Sequence, residues 1–355
     1  MTARELGTII ARIPIKEAGK RAFPGRPMKI ERILCPTDLT AESEQALRYA
    51  VALARAYEAE LILLYCEQNP GINPNPKGKT SIHNAELVEK ALLEHATMSD
   101  LSQLTWRSII TSCDEIGECI TREAESNQTD LIVMRSRRRP HRAALLGSTA
   151  EAVCRAAPCP VLVMHTDERD WIDDRDHSIE LKRVLVAYDF SDFAELALNY
   201  GMSLAQEYQA ELHLLHVLPP FSLEEPEISW YPLGKEGAYH KSARRLQRAV
   251  PAEAHLWCTI KHAVSEGQPY REILLYAERN GIDLICLGAH GAGFGSRALF
   301  GSNVDRVLRQ SPCPVLVARP LKHAQSVRAL SVMTAKEFAG GDRKEIKTPV
   351  RAVTI

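Results

Sequence analysis

Apolar residues along the chain fall in two alternating patterns. Short unbroken runs, ILCP from Ile33 and VLVAY from Val184, each lead to an aspartate, Asp38 or Asp189. The stretches after them, ALRYAVALARAY and ELALNYGMSLAQEY, repeat apolar residues at i, i+3, i+4 and i+7, the period of a helix with one buried face. Second strands follow at LILLYC and LHLLHV, then irregular Pro-rich connections over 67–80 and 218–234. The pattern next predicts helices near 84–98 and 236–249, third strands at Trp106–Ser112 and Trp257–Ala263, and helices near 117–127 and 268–279. Fourth strands lie at DLIVM and DLICLG, helices start at about 148 and 302, and last strands occupy 160–164 and 314–318. Continuous apolar strands separated by amphipathic helices predict parallel sheets covered on both faces. With right-handed crossovers, each half is a doubly wound, Rossmann-like α/β domain of five strands.

The two halves are copies. DLIVM at 130–134 returns as DLICL at 283–287, an offset of 153. LLGSTAEAV at 145–153 returns as LFGSNVDRV at 299–307, and APCPVLVMH at 157–165 as SPCPVLVAR at 311–319, both offset by 154. A repeat of this length is a duplicated domain rather than a solenoid. The expected organisation is an extension over 1–29, a domain over 30–166, a linker over 167–180, a second domain over 181–320 and a tail over 321–355. Within the tail, VRALSVMTAKEFA at 327–339 fits a short amphipathic helix; otherwise both ends read as flexible. The last strands carry the same PVLV chemistry and are candidate edges for pairing the halves.

In doubly wound folds ligands bind beyond the carboxyl ends of the strands, at the point where strand order reverses. Asp189, Val217 and the loop after Leu287 stand there. That loop reads Gly288-Ala-His-Gly291 and closes at Gly301-Ser302. Glycines at a strand end let backbone amides approach a ligand, and Ser302 is expected as N-cap of the next helix, at its positive end. In the first half Arg135 and Arg138 stand in place of the glycines, and the spacing to Gly147-Ser148 is one residue shorter. Two readings stay open there: a degenerate site with a solvated basic loop, or arginine forks that grip phosphate directly.

The pattern G-x2-G-x9-G-S, after a DLI strand and before a PCPVLV strand, resembles the ATP-binding motif of the universal stress protein family. Asp-Phe-Ser-Asp at 189–192 and LLHV at 214–217 match it too. The resemblance spans roughly 31–165 and 181–319 and implies a tandem pair of adenine-nucleotide alpha-hydrolase-like domains. It implies ATP, with or without Mg2+, bordered by Ala187, Asp189, Val217, Gly288, Gly291, Gly301, Ser302 and Asn303. The family often has Pro-Val or Pro-Thr where this chain has Ala187-Tyr188; Tyr188 either crowds the base or stacks beside it. The resemblance also implies pairing through the last strands, with further dimerisation open. The expected function is a nucleotide-binding stress-response protein, with ATP in the second domain as a sensor or switch and the first domain structural. The alternative is a nucleotide-free adaptor or dimerisation scaffold.

Composition narrows the field. Lys plus Arg number 44 and Asp plus Glu 45, so no dominant polyanion-binding surface is expected; the five arginines within 135–142 are a local patch without interleaved aromatics. Nucleic acid is therefore not an expected partner. No apolar stretch has membrane-helix length and the N-terminus has no signal-peptide core, so a cytoplasmic location is expected. The nine cysteines are odd in number and several lie in apolar runs, which reads as reduced thiols. Cys113/Cys119 and Cys154/Cys159 lack the spacing and histidines of a zinc ribbon, so no metal site is expected. Gly78-Lys79-Thr80 has Asn73 where a phosphate loop needs glycine. His216 and His290 are weighed as cleft residues. With no nucleophile paired to a base, any ATP hydrolysis should be slow; release of pyrophosphate with some acceptor would instead mark a transfer enzyme.

Overall fold

The computed structural model describes residues 29–40, 43–68, 86, 90, 104–136, 147–165, 168–173, 177–220, 234–290 and 301–321. The first half contains β1 (Arg32–Thr37), α1 (Glu44–Tyr57), β2 (Glu60–Gln68), β3 (Trp106–Cys113), α2 (Ile116–Ser126), β4 (Leu131–Arg135), α3 (Ser148–Ala156) and β5 (Val161–Met164). The second contains β6 (Arg183–Ala187), α4 (Asp192–Glu207), β7 (Glu211–Leu218), α5 (Gly234–Ala249), β8 (Ile260–Glu266), α6 (Pro269–Arg279), β9 (Leu284–Gly288), α7 (Ser302–Gln310) and β10 (Val315–Ala318). Of the expected helix near 84–98 only residues 86 and 90 are described, both helical, and the expected helix near 327–339 lies outside the described residues.

The strands form one sheet in the order β3-β2-β1-β4-β5-β10-β9-β6-β7-β8. Pairings within each half are parallel. Chain direction across the sheet reverses between β1 and β4 and between β6 and β9, which places the switch points there. The halves join through β5 and β10, which pair antiparallel: Val161 with Val317, Leu162 with Leu316, Val163 with Val315. Leu316 is the repeat counterpart of Leu162, so the dyad relating the copies passes between them. Joining the last strands removes two exposed edges that would invite foreign strands.

Apolar side chains fill both faces of the sheet. On one, α1 and α4 cover Ile33, Cys35, Val184 and Val186. On the other, α2, α3, α6 and α7 cover Leu34, Leu185, Ile285 and Val315. Successive strand residues point to opposite faces, so Leu34 and Cys35 belong to different layers. Ser191 caps α4, its Oγ accepting the Ala194 N–H at 3.2 Å, with Asp192 and Glu195 in the first turn beside the helix's positive end.

The segment after β5 ties the halves together. The Tyr49 hydroxyl on α1 donates to Asp170 at 2.8 Å and accepts the Trp171 N–H at 3.2 Å, while the two rings meet edge-on at 4.6 Å. Arg48 pairs with Asp170. Arg169 donates to the carbonyls of Ala277 and Ile282, at 3.2 and 2.7 Å, at the end of α6. Arg319, just past β10, reaches the other way and donates to Ala157 at 2.7 Å and Cys154 at 2.9 Å, closing the C-terminus of α3.

One strand start differs from expectation. The second copy's third strand begins at Ile260, not Trp257. A 3-10 turn over Ala252–Leu256 runs into Trp257, whose backbone is helical and whose ring is partly exposed. Trp106 opens β3 and pairs with Leu61, and in the second copy Ile260, paired with Leu212, takes that position. The same residue type therefore serves as a strand residue in one copy and a helix end in the other.

Candidate functional site

At the switch point of the second half, the ends of β6, β7 and β9, the flank of α6 and the start of α7 enclose a cavity of about 320 Å³. Ala187, Asp189, Val217, Gly288, Gly301, Ser302 and Asn303 all border it. Gly291 lies outside the described residues, as does Arg138 of the first half. Arg135 is half-buried at the end of β4, the position Gly288 holds on β9. The walls are largely apolar: Leu215, Leu287, Ile273 and Val304 are buried side chains around one space. Pro269 and Ile273 of α6 also line it, and the sequence analysis did not single them out. Their only signal is the repeated helix over 268–279, which contains no motif.

Polar groups enter at defined points. His216 Nδ1 lies 2.8 Å from the Tyr188 carbonyl oxygen, so this nitrogen donates and Nε2 carries the lone pair. Burial lowers its pKa, which keeps the ring neutral at neutral pH. His290 sits edge-on to Phe193 at 5.0 Å, and burial likewise lowers its pKa. Tyr188 directs its hydroxyl to Glu195 on α4, and its ring meets Phe190 edge-on at 5.2 Å. Phe190 in turn stands 4.6 Å from the His216 ring and 3.7 Å beneath the Arg245 guanidinium.

Asp189 has a local structural partner. Its Oδ1 accepts the Ser191 N–H at 3.1 Å and hydroxyl at 2.5 Å, a turn that drives Phe190 to φ +65. Asp38 repeats the device with Thr40 at 3.1 and 2.6 Å, and Leu39 takes φ +59. Both first-strand aspartates therefore shape the bend that starts the next helix.

The glycines divide. A Cβ on Gly288 would lie 2.7 Å from the carbonyl carbon and Cβ of Phe193 and 2.8 Å from its oxygen. That glycine lets the end of β9 touch the start of α4. A Cβ on Gly301 would meet only Val304 at 3.5 Å, Ala289 O at 3.7 Å and His290 Cα at 4.0 Å, ordinary contacts. Gly301, not the expected Ser302, is the N-cap of α7, with no side-chain cap; Ser302 is the first helical residue. A glycine cap supplies no side-chain acceptor, which leaves the first amides of α7 for another acceptor at the cavity wall.

A duplicated doubly wound α/β chain, joined through its last strands and hollow at one switch point, is the class the fold and site define. The profile described as the universal stress protein family matches residues 29–165 and 180–319, and the chain belongs to that family. A universal stress protein of Mycolicibacterium smegmatis is 26% identical over 307 residues, covering 81% of this chain and 97% of that one. One from Mycobacterium tuberculosis is 28% identical over 252 residues, covering 70% and 79%. A crystal structure of a universal stress protein from Archaeoglobus fulgidus superposes with a TM-score of 0.60 at 25% identity, covering 81% of this chain and 96% of that one. No helix among the described residues is long and apolar enough to cross a membrane.

Proposed function

We propose that the second domain binds an adenine nucleotide, ATP foremost, as the sensing or switching element of a stress protein, and that the first domain is its structural partner. The observation that carries this is the apolar cavity at the β6/β9 switch point, closed on one side by the uncapped start of α7. At about 320 Å³ it lies at the small end of ligand pockets, enough for a flat base and its sugar. The base fits between Ala187, Val217 and Ile273. The neutral His216 and Asp189 stand at the rim, and the amides of Ser302 and Asn303 face the phosphates.

A second reading, a nucleotide-free adaptor, draws on two other observations. Gly288 is used up in packing against Phe193, and Asp189 Oδ1 is taken by Ser191. Both motif residues thus have reasons to exist without a ligand.

The test is to purify the full chain gently, denature it and identify released small molecules by mass spectrometry, with ATP titration by calorimetry alongside. Adenine nucleotide at about one per chain supports the sensor. An empty chain that shows no heat of binding with ATP supports the adaptor.

A further inference from the structure

We propose that Cys66, Cys113 and Cys119 form a three-thiolate site in the first domain for a thiophilic d10 cation, zinc(II) or copper(I). Their sulfur atoms all lie within 4.8 Å of one another. Three sulfurs bound to one such cation at about 2.3 Å sit roughly 3.8–4.0 Å apart. Closing the triangle requires movements well under the reach of a χ1 adjustment.

The sequence hides this cluster because its members come from three elements. Cys66 is near the end of β2, Cys113 ends β3 and Cys119 is in the first turns of α2. The β2–β3 register pairs Cys66 with Thr111 and Gln68 with Cys113, which brings the first two thiols to one sheet end. The third depends on where α2 lies. A Cβ on Gly117 would sit 2.5 Å from the Ala152 side chain, so only glycine allows α2 to pack this closely on α3. Cys113 and Cys119 are buried and Cys66 is partly exposed, which leaves an entrance on one side.

Burial raises the pKa of the Cys66 and Cys113 thiols, so a cation must displace their protons as it binds. Arg122 donates to Cys119 Sγ at 3.4 Å, and the N-terminal end of α2 adds positive potential. Three thiolates on zinc(II) leave one net negative charge, which the guanidinium balances. The donor set selects the cation: sulfur alone disfavours magnesium and calcium. Three sulfurs complete a trigonal copper(I) site, or leave zinc(II) one position for water. As three metal–sulfur bonds form, three thiol protons leave to the buffer.

The location adds meaning. Cys66 is the repeat counterpart of Val217, which lines the cavity of the second half. Cys119 occupies on α2 the turn that Glu272 occupies on α6, one residue before cavity-lining Ile273. The half that has Arg135 in place of Gly288 thus carries sulfur at the matching strand ends.

The experiment uses the full reduced chain, stripped of metal and handled without oxygen. Cobalt(II) alone serves as the optical probe, followed by zinc(II) and copper(I) against competing chelators. The expected result is about one equivalent bound tighter than about 1 µM, with thiolate-to-cobalt charge transfer. Cys66→Ser and Cys119→Ser should each weaken binding roughly 100-fold or more, while Cys258→Ser, a half-buried thiol elsewhere, leaves it unchanged. Because Cys119 is buried, a second measurement avoids substitution: bound cation should protect Cys66 of the unaltered chain from alkylation, read peptide by peptide. Whichever of zinc and copper binds more tightly is the assigned cation. Three results overturn the proposal: full affinity in Cys66→Ser, no binding of either cation tighter than ~10 µM, or unchanged alkylation of Cys66.

Discussion

Gly288→Ala against Gly301→Ala separates a glycine kept for packing from one that leaves backbone open. The new Cβ of Gly288→Ala would stand 2.7 Å from two carbons of Phe193 and 2.8 Å from its carbonyl oxygen. Carbon contacts settle near 3.5 Å, so the first turn of α4 must retreat by roughly 0.8 Å. That turn also holds the Ser191 cap and the aspartate turn beneath it, so it cannot move alone. Overpacking of this kind destabilises by about 2 kcal/mol, which lowers the melting temperature by roughly 4–8 °C. Gly301→Ala meets nothing closer than 3.5 Å, and its φ of −58 and ψ of 130 suit alanine. Its loss as a cap and its gain in unfolded-chain restriction are each about 0.5–1 kcal/mol and opposite in sign, so stability should move by less than about 0.5 kcal/mol. Thermal and urea unfolding of both full-length variants, followed by circular dichroism, measure the contrast. On the proposed nucleotide reading, Gly301→Ala instead weakens ATP, because its methyl group stands at the cavity wall. If Gly288→Ala melts within about 1 °C of the parent chain, or Gly301→Ala falls as far, the steric reasoning is wrong.

Other consequences are equally measurable. Arg319→Met keeps the apolar stem but strands the carbonyls of Ala157 and Cys154, and should destabilise the chain by about 2 kcal/mol in urea; a change under 0.5 would mean the crossing arginine is ornamental. Tyr49→Phe removes the hydroxyl shared by Asp170 and Trp171, with an expected loss of about 1 kcal/mol and greater protease sensitivity in the segment after β5. Burial lowers the pKa of His213, held between Tyr276 and Glu211 with Lys261 and Arg183 nearby, and burial also lowers those of His216 and His262. The unfolded chain therefore takes up protons near pH 6.5 while the folded chain resists them, so stability is full above that pH and declines below it. Urea midpoints should fall from pH 7.5 to 5.5, and a flat or rising profile would contradict the burial argument. ATP turnover should stay well below ~1 s⁻¹, since no base is paired with a nucleophile among the described residues of the cavity; phosphate release at ordinary enzyme rates would refute this.

The sequence by itself determined the elements and their duplication. Periodicity is local: a run such as VLVAY or ALRYAVALARAY states its own burial, and matching runs about 150 residues apart state the copy. It also pointed to Asp189, Val217 and the loop after Leu287 at one switch point, because the carboxyl ends of parallel strands follow from topology; Ala187 and Asn303 came only from the resemblance to the universal stress protein family. Only the tertiary structure decided what each residue does there. Gly288 borders the cavity, yet the room left by its missing Cβ is taken by Phe193, almost a hundred residues earlier. Gly301 rather than Ser302 caps α7, since a cap is set by where the backbone turns into the helix and not by residue type alone. Pro269 and Ile273 reach the cavity only because α6 packs beside β7. The same physics brought Cys66, Cys113 and Cys119 together: strand register and the close passage of α2 at Gly117 are long-range outcomes. A motif records spacing along one segment, whereas contact depends on how separate segments pack.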